Sequence, residues 1–212
     1  MKSRHVSILT SIAATMACAA IALTAGIATA TAGGGNSPSA KKCQKDGWQT
    51  LVTSTGAAFT SEEQCTSYGA RGGAYYPLSQ APCLNGGWQA PAQRGDGTGF
   101  TSEADCTAYT AGNGVVYKPT LTALPSTVKE NENIAFSAAG FHPNSTGQLT
   151  IVTLPLNVSS TLVAVTDGNG GFTGGSSVFT TGACALGETG EQLTWVDGSG
   201  VHASATVTLD CA

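Results

Sequence analysis

The feature that most constrains the fold is a pattern of cysteine and aromatic residues that occurs twice in the first half of the chain. A shared spacing of this kind is typical of a duplicated structural unit. Each copy spans about 35 residues, which is below the size at which an apolar core alone usually suffices. The first copy contains Cys43, Trp48, Gln49, Phe59, Cys65 and Tyr68, and the second contains Cys83, Trp88, Gln89, Phe100, Cys106 and Tyr109.

The duplication restricts how the cysteines can pair. The sequence has seven cysteines, and setting aside Cys18, which lies near the N-terminus, leaves six with 15 possible pairings. One bridge in each copy is the simplest arrangement, Cys43–Cys65 and Cys83–Cys106, and each would stabilise its copy by about 3 kcal/mol. A third bridge, Cys184–Cys211, would then hold the C-terminus in place. Neither copy contains Cys-x-x-Cys or His, so no metal site and no cofactor are predicted.

Each copy also carries the start signal of a short helix. Ser61 with Gln64, or Thr60 with Glu63, can cap a helix before Cys65, and Ser102 with Asp105 can do the same before Cys106. We therefore expect an extended segment that bears the Trp, then a variable loop, then a short helix that the disulfide clamps back.

The N-terminus has the three parts of a secretory signal peptide. Lys2 and Arg4 form a positive start, an uncharged apolar stretch follows, and Ala-x-Ala sites end at Ala30 and Ala32. The apolar stretch is long enough to remain as a membrane anchor, but its Ala and Thr content and the cleavage sites favour removal. The sequence thus predicts a signal peptide at 1–32 and a secreted protein, with no membrane association after cleavage.

After about Lys118 the cysteine pattern gives way to short strands separated by turns rich in Gly, Asn and Asp. About seven such strands in the last 95 residues or so are typical of a β-sandwich. The last strand is the clearest, because Val201, Ala203, Ala205, Val207 and Leu209 alternate with polar residues. The predicted strands are 120–124, 134–138, 148–154, 161–166, 177–180, 193–196 and 201–209.

Two resemblances add to this organisation. The tandem copies resemble short secreted bacterial modules, frequent in actinobacterial proteins, that read roughly Cys-x-x-Gly-Gly-Trp and then Phe, Cys and Tyr or Phe. Gly86-Gly87-Trp88 fits this pattern fully, whereas Asp46 replaces the first Gly of the other copy. The resemblance implies an exported, non-catalytic context.

The C-terminal segment resembles a bacterial Ig-like domain, through residues 125–128, 140–145 and 166–172. The predicted fold class is therefore mainly β, with two small disulfide-stapled modules of short strands plus one short helix each, followed by an Ig-like β-sandwich. The predicted boundaries are a linker at 33–42, module 1 at 43–78, module 2 at 79–117 and the sandwich at 118–212.

Composition excludes two classes of protein. Only 10% of the residues are charged while 41% are hydrophobic, which is unlike a disordered chain. Lys and Arg number 9 against 13 Asp and Glu, so the clustered positive charge that nucleic-acid binding needs is missing. The 29 Thr and 28 Gly favour strands and turns.

Residues that suggest catalysis or metal binding have simpler interpretations. Asp197, Ser199 and His202 are the residue types of a hydrolase triad, but they lie on one hairpin and strand parity points His202 to solvent. The sequence predicts no enzyme and no catalytic residue. Residues 167–170 resemble part of a calcium loop but lack its further ligands. Glu62 and Glu103 could suggest the paired carboxylates of a glycoside hydrolase, but acidic residues are expected in the first turn of a helix. His142 has no acidic neighbour in the sequence.

Trp48 and Trp88 are open to two interpretations. Each could supply most of a small module core, which is favoured, or each could be exposed and stack on a sugar ring. Tyr75, Tyr76 and Tyr117 lie at the ends of the copies and could serve either purpose.

The sequence therefore predicts an exported, non-enzymatic binding or surface protein that holds carbohydrate or cell wall through module aromatics, with Trp48, Trp88, Tyr75 and Tyr76 as candidate binding residues. The alternative is a secreted factor that binds or inhibits another protein through the Ig-like domain, and a hydrolase is third.

Overall fold

The computed structural model describes residues 38–212, with backbone only at residues 39 and 174–177. The predicted signal peptide at 1–32 and Cys18 lie outside the described residues. The described part is mainly β, with three sheets and three disulfides. The helices are α1 (Pro38–Cys43), α2 (Glu62–Ala70) and α3 (Glu103–Ala111), with 3-10 helices at Gly47–Thr50 and Leu78–Cys83. The strands are β1 (Leu51–Val52), β2 (Tyr76–Pro77), β3 (Thr120–Leu124), β4 (Thr127–Val128), β5 (Asn133–Ala139), β6 (Thr146–Leu154), β7 (Val158–Val165), β8 (Phe172–Val178), β9 (Gly190–Asp197) and β10 (His202–Leu209).

The disulfides join Cys43 to Cys65, Cys83 to Cys106 and Cys184 to Cys211, which are the same three pairs that the sequence predicts. Their Cα atoms lie 5.8, 5.6 and 5.7 Å apart, within the usual range for a disulfide. Cys211 shares the parity of Leu209 in the last strand, which predicts that it points inward, but Cys211 is exposed. Three disulfides are consistent with an extracellular location, where thiols are oxidised.

Modules 1 and 2 make matching contacts at positions 41 residues apart. The rings of Phe59 and Tyr68 are 5.5 Å apart and those of Phe100 and Tyr109 are 5.6 Å apart. The backbone N–H of Ser54 donates to the Tyr68 hydroxyl at 3.2 Å, and that of Gly95 donates to the Tyr109 hydroxyl at the same distance. Both helices therefore hold their tyrosines against the loop that precedes them.

The helix starts follow the predicted capping. Ser61 Oγ accepts a hydrogen bond from the N–H of Gln64, and Ser102 Oγ accepts one from the N–H of Asp105, both at 3.1 Å. The side chain of Gln64 reaches back to the N–H of Thr60 at 2.7 Å. These bonds satisfy donors that the first turn of a helix would otherwise leave free.

The segment that bears the Trp is not extended, so that prediction is wrong. Trp48 lies in the 3-10 helix Gly47–Thr50, because Asp46 adopts a left-handed conformation with φ 65° and turns the chain. A Cβ on Gly47 would collide with the carbonyl of Lys42, so this tight turn requires glycine. The predicted linker 33–42 is also partly helical, since α1 begins at Pro38, and each module contains more helix than the one short segment expected.

The C-terminal strands form two sheets whose buried faces share one hydrophobic core. The five-stranded sheet has the order β4-β10-β9-β6-β7, and the three-stranded sheet has the order β3-β5-β8. Alternate residues of β5 and of β9 are buried, as the two-residue period of a strand requires. The centre of this core contains Ile134, Phe136, Phe141, Leu149, Leu193, Trp195 and Val207.

The strand predictions are mostly confirmed. The segment 120–124 matches β3, and the alternating burial predicted for the last strand is present in β10. The strand predicted at 177–180 is misplaced, because the strand there is Phe172–Val178. The two-residue β4 was not predicted.

Each module meets the next part of the chain through main-chain atoms. Gly97 has φ +82°, and a Cβ there would collide with the carbonyl of Gly200 in the turn between β9 and β10. The equivalent Gly56 has φ +81°, and a Cβ there would lie 3.1 Å from the carbonyl of Ala81 at the start of module 2. Glycine at both positions allows the two backbones to approach closely.

No helix within residues 38–212 is both long enough and apolar enough to cross a membrane.

Candidate ligand-binding groove

A groove lies where module 2 meets β10. Its first part is a cavity of about 280 Å³ with Trp88, Phe100 and His202 in its lining. Its second part, of about 380 Å³, has Thr120 and Ser204 in its lining. The two parts share Pro91, Gln93 and His202, so they adjoin each other.

Trp88 is neither fully buried in the module core nor fully exposed. Its side chain is half-buried and packs on the core of module 2, which contains Cys83, Phe100 and Cys106. The rest of the side chain lines the groove. Trp48 is half-buried in the same way and packs on the core of module 1, formed by Cys43, Phe59 and Cys65. Both indoles therefore contribute to a core and keep exposed surface.

The two tyrosines at the end of module 1 lie apart from the groove. Tyr75 packs on Phe59 and Tyr68 and donates its hydroxyl to the carbonyl of Cys65 at 2.9 Å. Burial raises the pKa of the Tyr75 hydroxyl, although a backbone hydrogen bond with Gly69 opposes this effect. Tyr76 is half-buried in β2 and pairs with Val52. Neither lines the groove.

Gln93 fastens module 2 to β10. Its Nε2 donates to the carbonyl of His202 at 2.7 Å, and its Oε1 accepts from the N–H of His202 at 3.0 Å. Its own backbone exchanges two hydrogen bonds of 2.9 Å with Tyr117. The side-chain amide thus binds the β10 backbone as a neighbouring strand would, and it holds the two walls of the groove together.

Replacing Gln93 by leucine is expected to lower the free energy of unfolding by about 2 kcal/mol, because it leaves the N–H and carbonyl of His202 without partners in a partly buried place. Urea unfolding followed by tryptophan fluorescence measures this loss. Gln89→Leu, at an exposed position of the same module, is the control and should change stability little. Equal stability of the two variants would contradict this role for Gln93.

The imidazole of His202 is oriented by the turn that precedes it. Its Nδ1 lies 3.1 Å from the carbonyl oxygen of Gly200. Since a carbonyl only accepts, Nδ1 carries the proton, and neutral His202 then presents Nε2 as an acceptor. The side chain is exposed, as strand parity predicts.

A contact between a histidine and a buried aspartate lies beside Tyr117 of module 2, and it was not predicted from the sequence. His142, which has no acidic neighbour in sequence, places Nδ1 at 2.8 Å from Oδ2 of Asp197. The Asp197 side chain is fully buried. On its other side the His142 ring stacks on Tyr117, with ring centroids 4.0 Å apart. The pair joins residues 55 positions apart, so no local pattern could have signalled it.

Asp197 is held in its charged form. Burial of the carboxyl acts to raise its pKa, but hydrogen bonds from the His142 ring and from the N–H groups of Ser199 and His142 outweigh burial and lower the pKa. Oδ1 also accepts from the N–H of Val201 at 3.1 Å. A carboxylate with this many donors is strongly stabilised.

The hydrolase-like residues do not assemble into a triad. The Asp197 carboxylate binds His142, the ring of His202 binds the Gly200 carbonyl, and Ser199 contributes its backbone N–H to Asp197. Glu62 and Glu103 lie in the first turns of α2 and α3, as expected. Asp167 accepts from the N–H groups of Asn169 and Gly171 and closes a turn. Among the described residues, no three His, Cys, Asp or Glu side chains lie close enough together to hold a metal ion.

Comparison with known proteins adds little to this geometry. No family model matches the sequence, and no curated protein matches it. Among solved structures, the chain is similar to macromomycin with 15% identity and a TM-score of 0.32, over 43% of this chain and 99% of macromomycin. A likeness of this size does not establish a fold family or a function for this chain.

Proposed function

We propose that the protein is an exported, non-enzymatic binding protein that recognises carbohydrate through the groove at Trp88. The observation that carries this proposal is the combination of an indole wall, an exposed imidazole and strand hydroxyls in the two adjoining parts of the groove. A sugar ring has an apolar C–H face and a polar rim. An aromatic wall beside a few directed polar groups is suited to both.

The polar wall of the groove comes from the outer face of β10. His202 presents Nε2, and two residues further along the strand Ser204 presents a hydroxyl on the same face. Ser204 Oγ lies 2.9 Å from Oγ1 of Thr194, so the two hydroxyls are oriented by each other. The amide of Gln93 is already bound to β10, and we assign it a positioning role.

The lining of the groove favours an uncharged ligand. None of the residues that line its two parts is Asp, Glu, Lys or Arg. A ligand with phosphate or carboxylate groups would find no Lys or Arg there to offset its desolvation. Neutral polysaccharides such as chitin or cellulose therefore fit this groove better than an anionic wall polymer does.

Module 1 provides a natural comparison. Trp48 stands at the equivalent place, but the groove at Trp88 also needs β10, which contacts module 2 through Gln93. We therefore assign the main ligand contact to Trp88, although Trp48 and Trp88 are equal candidate binding residues in the sequence.

We also propose the architecture that the sequence resembles, namely two modules of the secreted bacterial type followed by an Ig-like domain. The matching contacts at positions 41 apart support the duplication. The two sheets around one core support the sandwich. The predicted place of action is the extracellular medium or the cell surface.

Trp88→Ala is expected to reduce retention of the oxidised, exported protein on neutral polysaccharide by at least about tenfold, as expected for an aromatic anchor. Binding isotherms on insoluble chitin, cellulose and purified cell wall measure this loss. His202→Ala is expected to weaken binding without unfolding, because Gln93 binds only the backbone of residue 202.

Trp48→Ala is the matched control and should bind nearly as well as the wild type, with near-UV circular dichroism to confirm that each variant is folded. The proposal is wrong if folded wild-type protein is not retained on any of the three materials. It is also wrong if folded Trp88→Ala and His202→Ala are both retained like the wild type.

A further inference from the structure

The edge strand β7 is exposed along its whole length. It ends the five-stranded sheet and pairs only with β6 in that sheet. Val158, Leu162, Val163 and Val165 are 62%, 46%, 65% and 58% exposed. Four large apolar side chains on one eight-residue strand form more exposed apolar surface than isolated surface residues do.

The inner face of β7 is exposed because the opposite sheet does not reach it. Leu162 stands opposite Leu149 in the register with β6, so the two side chains share the inner face. Leu149 is only 1% exposed, since the three-stranded sheet covers it, whereas Leu162 is 46% exposed. An open cavity of about 190 Å³ between the sheets is lined by Leu162 together with Phe172 and Trp195.

The edge of β7 lacks the devices that usually prevent strands from pairing between molecules. Proteins protect such edges by short strands, charged residues, proline or bulges. β7 has eight residues, no charge and no proline, and it pairs with β6 through eight consecutive positions without a shift in register. The opposite edge of the same sheet, β4, has only two residues.

Charge indicates what covers this edge. The whole chain has a net charge of −4, but residues 143–166, which include β6 and β7, contain no Asp, Glu, Lys or Arg. A second copy of the chain would approach this neutral surface with an identical neutral surface, while the acidic residues of both copies remain outside it. If the partner strand carried charged residues, those residues would lose their hydration when they packed against Leu162 or Val163.

We propose that two copies of this chain associate through β7, which pairs antiparallel with β7 of the second copy about a two-fold axis perpendicular to the sheet. With such an axis the inner faces of both β7 strands point to the same side of the joined sheet, because directly opposite residues of an antiparallel pair share a face. Leu162 of both copies then covers the open cavity between the sheets, and Val163 and Val165 of both copies meet on the outer face. The contact is isologous and closed, so it stops at a dimer.

Sedimentation equilibrium of the oxidised, full-length exported protein tests this proposal. We expect a dimer for the wild type and for Thr206→Lys, which adds the same charge on the outer face of β10 at an exposed position away from the edge. We expect Val163→Lys to raise the Kd of the dimer at least about tenfold, because it places two ammonium groups close together in a surface that becomes buried.

Val165→Lys serves as a second edge variant if Val163→Lys is not folded by circular dichroism. A monomeric wild type at high protein concentration overturns the proposal. A dimer that persists unchanged in a folded edge variant also overturns it, since the contact would then lie elsewhere. Carbohydrate binding is measured separately, and its presence or absence does not affect this result.

Discussion

Replacing Trp195 by alanine is expected to lower the free energy of unfolding by about 4 kcal/mol, the largest loss expected from a single side chain of this protein. Trp195 is fully buried in β9 at the centre of the core that the two sheets share. Its indole stacks on Phe172 with centroids 4.8 Å apart and meets Phe141 edge-on at 6.3 Å. Removal of the ring would leave a large cavity between the sheets.

Trp195→Phe separates packing from hydrogen bonding. The indole Nε1 is buried and has no hydrogen-bond partner within residues 38–212. Trp195→Phe therefore loses side-chain volume but no hydrogen bond. We expect it to lower the free energy of unfolding by less than half as much as Trp195→Ala does. Urea unfolding at pH 7, followed by far-UV circular dichroism, gives both values.

Val196→Ala is the control, because Val196 follows Trp195 on β9 and is 38% exposed; a loss below about 1 kcal/mol is expected there. If Trp195→Ala cost no more than this control, the indole could not be central to the core. If Trp195→Phe lowered the free energy of unfolding as much as Trp195→Ala, Nε1 would have to make a stabilising interaction.

Asp197→Asn is expected to lower the free energy of unfolding by about 3 kcal/mol at pH 7, because it removes a buried charge whose donors remain in place. The carboxylate accepts from the His142 ring, from the backbone N–H of His142, and from the N–H groups of Ser199 and Val201. An amide has one acceptor oxygen, so at least one of these donors must lose its bond.

The effect of Asp197 should depend on pH. The pKa of Asp197 is lower in the folded protein than the ordinary value of 3.8. Its stabilising contribution is therefore fully present above about pH 4 and is lost as the pH falls through the folded pKa. We expect the difference in stability between wild type and Asp197→Asn to shrink as the pH falls below about 4.

Urea unfolding at a series of pH values measures this dependence. Asp96→Asn is a suitable control, because Asp96 is an acid of module 2 whose pKa is lowered only by local hydrogen bonds, chiefly to Thr98, and by the nearby Arg94. Its replacement should change stability much less at pH 7. A difference between wild type and Asp197→Asn that stays constant down to the most acid point would contradict a stabilising role for the Asp197 carboxylate.

Local patterns in the sequence predict local structure well in this protein. The caps at Ser61 and Ser102 need only residues three positions away, and both form as predicted. The strand 120–124 and the alternation along β10 follow from the two-residue period of side chains. The disulfide pairs could be predicted because the duplication reduces 15 pairings to one simple choice.

The features that build the groove could not be predicted, because they join distant parts of the chain. Gln93 binds His202 across 109 positions, and the sequence around Gln93 shows no reason for an amide there. The module 1 residue that corresponds to Gln93 is Val52, which is fully buried and pairs with Tyr76. That exchange of an apolar residue for an amide between the copies is the one sequence signal that could have indicated a contact beyond module 2.

The close approach of Gly56 and Gly97 to the segments that follow them has a consequence for how such a chain can lengthen. At Gly56 and at Gly97 a module meets its successor through peptide groups, and there the successor needs to offer only a carbonyl and room for a bare Cα. A contact of this kind places few demands on neighbouring side chains. An additional module inserted between modules 1 and 2 would therefore find acceptable neighbours on both sides, and the chain could vary in reach by whole units while the end that carries Trp88 stays unchanged.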